Sequence, residues 1–292
     1  MSFKRILVAT DFSAPAERAV ERAALLATRS GAELRLVHAV PERSLIDRLF
    51  PSSRVTQVMM TRGVETVLQS AARAIEQRFD VVPSWSIHYG SASRAIRDAQ
   101  AEFDADLLVI GVRGEGAPTL LNTLGGTALK LLALGTTPVL LVRRSAEDQY
   151  RRLLVAVDDS EVAPRLLAVA RRLADRADCL VLQAFQAPFA ARLAILEIAE
   201  AAIDAYALEQ RIMRERTLAA LMAEAGFDER IKPHVVRGDP MPVVMDHIVS
   251  VRPDLVMVGR HGAPHREGQM SMLGSVSMGV AMSAPCDVLQ VR

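Results

Sequence analysis

Two aspartates, Asp11 and Asp158, each follow a short apolar run, and each half of the chain carries one glycine-rich stretch after another such run. "RILVATDFS" at 5–13 and "RLLVAVDDS" at 152–160 supply the carboxylates; "DADLLVIGVRG" at 104–114 and "RPDLVMVGRHG" at 252–262 open the glycine stretches. Glycines after a buried strand take away side chains, so that backbone N–H groups can approach an anion, and a helix starting just beyond adds its positive dipole end. Gly111, Gly114, Gly125, Gly126 and Thr127 form such a stretch in the first half; Gly259, Gly262, Gly274 and Ser275 form it in the second. A carboxylate repels phosphate, so Asp11 and Asp158 suit the other end of a ligand, accepting hydrogen bonds from ribose hydroxyls or an exocyclic amine. One GxxG alone is more often plain turn chemistry. The same combination twice, GxxG, a later glycine at a helix start and an aspartate after another strand, argues for a mononucleotide site.

Four cations stand near these stretches: Arg113, Arg260, His261 and Arg266. Arginines beside a loop are more often solvated surface, and Arg260 and His261 are the stronger candidates because they lie inside a GxxG. The glycine loops contain no lysine and no GxxxxGK[ST] occurs, so efficient phosphoryl transfer is not expected; the chain is at most a slow ATPase. His261 and His265 lie four apart in a Gly/Pro-containing loop without a third ligand, so no metal site is assigned. His38 lies in an apolar strand and reads as a core histidine, and Cys286 as a small buried residue.

The elements that must hold these groups repeat as well. "TPVLLVR" at 137–143 is matched by "CDVLQVR" at 286–292, so three echoes recur in one order at nearly constant offset, the mark of a duplication. The expected domains are 1–144 and 150–292, joined at the polar stretch "RRSAEDQY". Short Val/Ile/Leu runs alternating with longer helical patterns predict βαβ units. In the first half strands are expected near 4–10, 33–40, 81–88, 106–111 and 138–143, with helices near 15–30, 55–79, 91–103 and 125–135. Gly31 stands where a helix C-terminus wants a left-handed residue. The second half follows the same plan, with a long amphipathic segment near 192–225. The fold class is α/β: two tandem flavodoxin-like, or Rossmann-like, domains, each a five-stranded parallel sheet with helices on both faces. Ligands of such sheets bind where the winding reverses, here between the first and fourth strands.

At these residues the chain resembles the universal stress protein family in its tandem form. The resemblance rests on "ILVATDFS", "LLVAVDDSE", "RLVHAV", "GDP" at 238–240, "GRHG" at 259–262, "LGSV" at 273–276 and "APCDVLQVR" at the end. It implies a stress-response protein that binds an adenine nucleotide, ATP first and ADP or AMP otherwise, with magnesium accompanying ATP, and acts as a nucleotide-gated module. Family members that bind ATP carry G-x2-G-x9-G-[S/T], whose glycines and hydroxyl hold ribose and phosphates, while the strand-one aspartate holds the adenosine end. The resemblance therefore assigns Asp11, Gly111 and Gly114, and Asp158, Gly259, Gly262, Gly274 and Ser275, with Ala39 and Ala184 at the adenine through their backbone. Both spacers here exceed nine. In the first half Gly125–Gly126 gives ten residues and Gly126–Thr127 gives eleven; the second is preferred because it preserves the offset of the repeat. The resemblance further implies that the two halves pair with each other, through the strands at 138–143 and 287–291. A homodimer of the whole chain is left open. The rival reading is a stress protein that binds no nucleotide and works through protein contacts.

Composition sets the remaining expectations. Lys and Arg number 35 against 34 Asp and Glu, which gives no general affinity for nucleic acid or anionic membrane. Two cysteines far apart, without CxxC, fit a reducing cytosol. The first residues reach charges too soon for a signal peptide and no apolar run approaches a membrane span of roughly 18 residues, so a cytoplasmic protein is expected. The segment at 45–60 is a candidate lid or partner contact.

Overall fold

The computed structural model describes residues 3–41, 53–114, 124–174, 177–187, 199–260 and 274–292. The chain forms two compact units, Met1–Gln149 and Tyr150–Arg292.

In the first unit, strands β1 (Arg5–Ala9), β2 (Glu33–Val40), β3 (Ser84–Tyr89), β4 (Leu107–Gly111) and β5 (Val139–Val142) alternate with helices. These are α1 (Ala14–Ser30), α2 (Ser53–Phe79), α3 (Ala92–Phe103) and α4 (Gly126–Leu134). All strand pairs are parallel, in the order β3-β2-β1-β4-β5. The apolar runs explain the central position of β1 and β4: Ile6, Leu7 and Val8, and Leu107 to Val109, are almost wholly buried, as strands covered on both faces must be. Right-handed crossovers then put α1 and α2 on one face and α3 and α4 on the other, and within each pair the helices touch.

Local chemistry fixes the ends of α1. Ser13 caps its N-terminus, its hydroxyl accepting from the Ala16 N–H, and Pro15 sits in the first turn, where a missing N–H costs nothing. Gly31 ends it in the left-handed region at φ 66°, with its N–H on the Ala27 carbonyl.

The second unit repeats the plan with β6 (Arg152–Val157), β7 (Asp178–Phe185), β8 (His234–Arg237), β9 (Leu255–Gly259) and β10 (Asp287–Val291). Its helices are α5 (Ala163–Leu173), α6 (Glu200–Glu224), α7 (Pro240–Val251) and α8 (Ser275–Ser283). Its strands are parallel in the order β8-β7-β6-β9-β10, the same winding as in the first unit. Each unit is the expected five-stranded parallel sheet, and in each the winding reverses between the first and fourth strands. Among the described residues, no helix is long and apolar enough to cross a membrane. Cys286 is buried, as a core residue, and burial pushes the thiol of the half-buried Cys179 up to about 12.

Candidate functional site

Asp11 leaves β1 at the reversal of the first sheet. Its Oδ1 accepts from the Ser13 N–H at 3.1 Å and the Ser13 hydroxyl at 2.6 Å, a local turn that ties the carboxylate to the N-cap residue of α1. Its Oδ2 lies against Gly114: a Cβ on that glycine would stand 2.5 Å from the oxygen. The acidic group and the glycine loop are thus brought into van der Waals contact. Gly114 is glycine because the carboxylate occupies the space where a side chain would go.

Gly111 has a different reason. A Cβ there would come within 2.8 Å of the Pro15 backbone, so glycine lets β4 pack against the start of α1. Gly126 has open space, with nothing within 4 Å of where a Cβ would stand. Gly125 caps α4, and its N–H donates to the Val112 carbonyl at 2.9 Å, closing the loop across its base.

Above these residues lies a cavity of about 460 Å³, within the roughly 300–1,000 Å³ usual for small-molecule sites. Asp11, Ala39, Gly111, Gly114, Gly125, Gly126 and Thr127 all line it. Sequence reasoning had thus identified the groups at both ends. It had not identified the apolar middle, where Val37, Ala92, Ile96 and Leu131 contribute, because those residues look like ordinary core positions. It also missed Ser13. The signal was available, since Asp-x-Ser recurs as Asp158-Asp159-Ser160.

Arg113 also lines the cavity, and it is the only cation among the described residues that do so; Asp11 is the only acid. The site therefore combines one carboxylate, one guanidinium, a helix N-terminus and small or apolar walls. Such a set can grip sugar hydroxyls and an anion, with a flat apolar group lying against the remaining wall.

The second unit reproduces the anchoring. Asp158 Oδ1 accepts from the Ser160 N–H at 3.2 Å and from the Ser160 hydroxyl. Gly274 caps α8 and its N–H donates to the Arg260 carbonyl at 2.9 Å. Ala184 is half-buried near the end of β7, as Ala39 is on β2. Arg260 is not a solvated loop residue: it is 7% exposed, and burial together with Arg292 lowers its guanidinium below the ordinary value. Gly262, His261, His265 and Arg266 lie outside the described residues, as do residues 45–52.

The matching closures correct one reading. Gly125 and Gly274 hold the same N-cap place with nearly identical backbone angles, φ −65° and ψ 149° against φ −64° and ψ 148°. Gly125–Gly126 therefore corresponds to Gly274–Ser275, and the register that paired Gly126–Thr127 with Gly274–Ser275 is wrong. Constancy of the repeat offset misled because the second loop carries one residue more. The first spacer is ten residues, the second eleven, and the first unit has glycine where the second has serine.

Comparison with known proteins agrees with this architecture. The universal stress protein family model matches residues 2–143 and again 149–292. A universal stress protein of Mycolicibacterium smegmatis is 29% identical over 310 aligned residues, covering 98% of this chain and 96% of the relative. The crystal structure of a universal stress protein from Archaeoglobus fulgidus covers 98% of this chain and 97% of its own, with a TM-score of 0.70 and 18% identity. One from Pseudomonas aeruginosa covers 99% and 92%, with a TM-score of 0.65 and 18% identity. Two family matches in tandem, spanning nearly all residues and falling on both sheets, settle the classification: the chain belongs to the universal stress protein family.

Proposed function

We propose that the first unit binds an adenine nucleotide, ATP first among them, and that the chain works as a nucleotide-gated regulatory module. The observation that carries this reading is the contact of Asp11 Oδ2 with Gly114 at the mouth of a 460 Å³ cavity that also reaches the N-terminus of α4. One small molecule can span these groups. The ribose hydroxyls would donate to Asp11, the adenine would lie among Val37, Ala39 and Ile96, and the phosphates would accept from the first-turn amides at Gly126 and Thr127. Arg113 would neutralise phosphate charge. The second unit's Asp158 and Gly274–Ser275 would serve a second nucleotide in the same way.

Turnover is expected to be slow. No lysine lines the cavity among the described residues, and its single carboxylate is engaged by Ser13, so nothing there is placed to activate a water. Magnesium would arrive with ATP rather than on a protein cage.

The test is the release of adenine nucleotide on denaturing freshly purified protein, followed by titration of the stripped protein with ATP and magnesium. Nucleotide in the first step or saturable binding in the second supports the reading. Neither in both would overturn it and favour action through protein contacts, for which α6 offers an exposed apolar row, Leu208, Ile212 and Met213.

A further inference from the structure

We propose that His38 is a positioning residue for Asp11, acting from the opposite face of the first sheet; the proposal rests on the nucleotide reading given above. Val37 and Ala39 line the cavity, so His38 between them on β2 points to the other face, the one that carries α1 and α2. There its Nδ1 lies 2.8 Å from the Thr10 carbonyl oxygen. A carbonyl only accepts, so Nδ1 carries the proton and donates. Thr10 is held twice more, its N–H donating to the Val37 carbonyl at 2.9 Å and its hydroxyl accepting from the Phe12 N–H at 3.1 Å.

The residue after the aspartate completes the brace. Phe12 stands at φ 64°, in the left-handed region that a bulky side chain enters only when its surroundings impose it. Against it packs His38: the two rings stack with centroids 4.7 Å apart and planes 18° from parallel. Asp11 therefore has both of its neighbours, Thr10 and Phe12, fixed by one imidazole. The hydrogen bond sets where the chain leaves β1, and the stack sets the turn that follows. Together they aim the carboxylate at Gly114.

The second unit solves the same problem by other means. Register equates β1 and β2 with β6 and β7, so the places of Thr10, Phe12 and His38 are held by Val157, Asp159 and Gln183. No hydroxyl stands at 157, and Gln183 Nε2 donates at 2.7 Å to Oδ1 of Asp159, the residue after the aspartate. The histidine brace belongs to the first unit alone, and its loss should be felt in that site alone.

The experiment uses the full chain carrying D158A, so that the first unit reports, and measures affinity for ATP with magnesium by isothermal titration. D11A should weaken binding roughly tenfold and H38A roughly fivefold, with H38N restoring part of the loss because its amide nitrogen takes the place of Nδ1 while the stack on Phe12 is not remade. In the double variant D11A/H38A the loss should equal that of D11A alone, since a residue that acts only through Asp11 has nothing left to position. A merely structural histidine would instead give losses that multiply. If H38A fails to fold, H38N against H38Q decides: tighter binding with asparagine supports the proposal, and equal or tighter binding with glutamine overturns it. Binding that is sensitive to Asp11 but indifferent to His38 overturns the proposal alone. No binding by the D158A chain overturns the nucleotide reading for this unit, and the proposal with it.

Discussion

The two units agree where a ligand would touch and differ where the touching groups are supported. Both place an aspartate at the end of the first strand and tie its Oδ1 to a serine two residues on. Both close the glycine loop with an N-cap glycine amide on the carbonyl just after the fourth strand. Behind these features, one unit uses a histidine stacked on phenylalanine and the other a glutamine bonded to aspartate. Val112 is half-buried in the first loop, and the buried Arg260 takes its place in the second. The aspartate, its serine and the loop-closing glycine recur in both units, whereas the groups behind them do not. The comparison therefore localises function more sharply than either unit alone.

The largest expected effect comes from filling the first loop. In Gly114→Leu the new Cβ would meet Asp11 Oδ2 at 2.5 Å, so either the carboxylate turns away or the loop shifts. ATP affinity at that site should fall on the order of a hundredfold, the equivalent of about 3 kcal/mol, with the second site untouched. A titration that still shows two unchanged binding events would break the correspondence between the loop and the site. Next in size are Asp11→Asn and Asp158→Asn. A charge-assisted hydrogen bond replaced by a neutral one loses about 1.5 kcal/mol, so each change should weaken its own site roughly tenfold. Equal losses would mean that both units bind; a loss from one alone would assign the function to that unit.

Much of this was legible in the sequence, for identifiable reasons. β4 and β9 are continuous apolar runs, as strands buried on both faces are, and Gly31 stands where a helix end wants a left-handed residue. Asp11 and the glycines stood out because chemistry-bearing types recurred at fixed distances. What could not be read was packing. That Gly111 also serves the approach of α1 depends on Pro15, 96 positions away, and no pattern of spacing encodes such a contact. The register of the loop was misread because one extra residue in the second loop is invisible until the two N-caps are superimposed. His38 was read as a core histidine; its partner Thr10 and its stack on Phe12 required the sheet register to be known.

A smaller effect tests the difference at the first residue of α4 and α8. Gly126 faces open space, so Gly126→Ser should be accommodated without strain and give α4 the first-turn hydroxyl that Ser275 gives α8. One added hydrogen bond to a phosphate is worth about 0.5–1 kcal/mol net, which predicts two- to fivefold tighter binding in the first unit. The reverse change, Ser275→Gly, should loosen the second by a similar factor. Calorimetry on both variants checks the pair; opposite signs would show that the hydroxyl clashes with the ligand instead of holding it.

The smallest effect is a pH signature of the second unit. His234 and His247 lie with ring centroids 5.2 Å apart, where the first unit has Ser86 and Ala99. Partial burial, then the neighbouring His247 and Arg211, lower the His234 pKa below its ordinary 6.5, with Glu215 opposing. A group whose folded pKa is depressed binds protons more readily in the unfolded chain. Stability is therefore full above the unfolded pKa and is lost as pH falls from about 6.5 through the folded value. His234 is largely exposed and its charge screened, so the melting temperature should drop only on the order of a degree across that window. His234→Ser, which installs the first unit's residue, should flatten that part of the profile and leave the melting temperature at about pH 8 nearly unchanged. A profile that stays as steep would assign the acid sensitivity to groups common to both units.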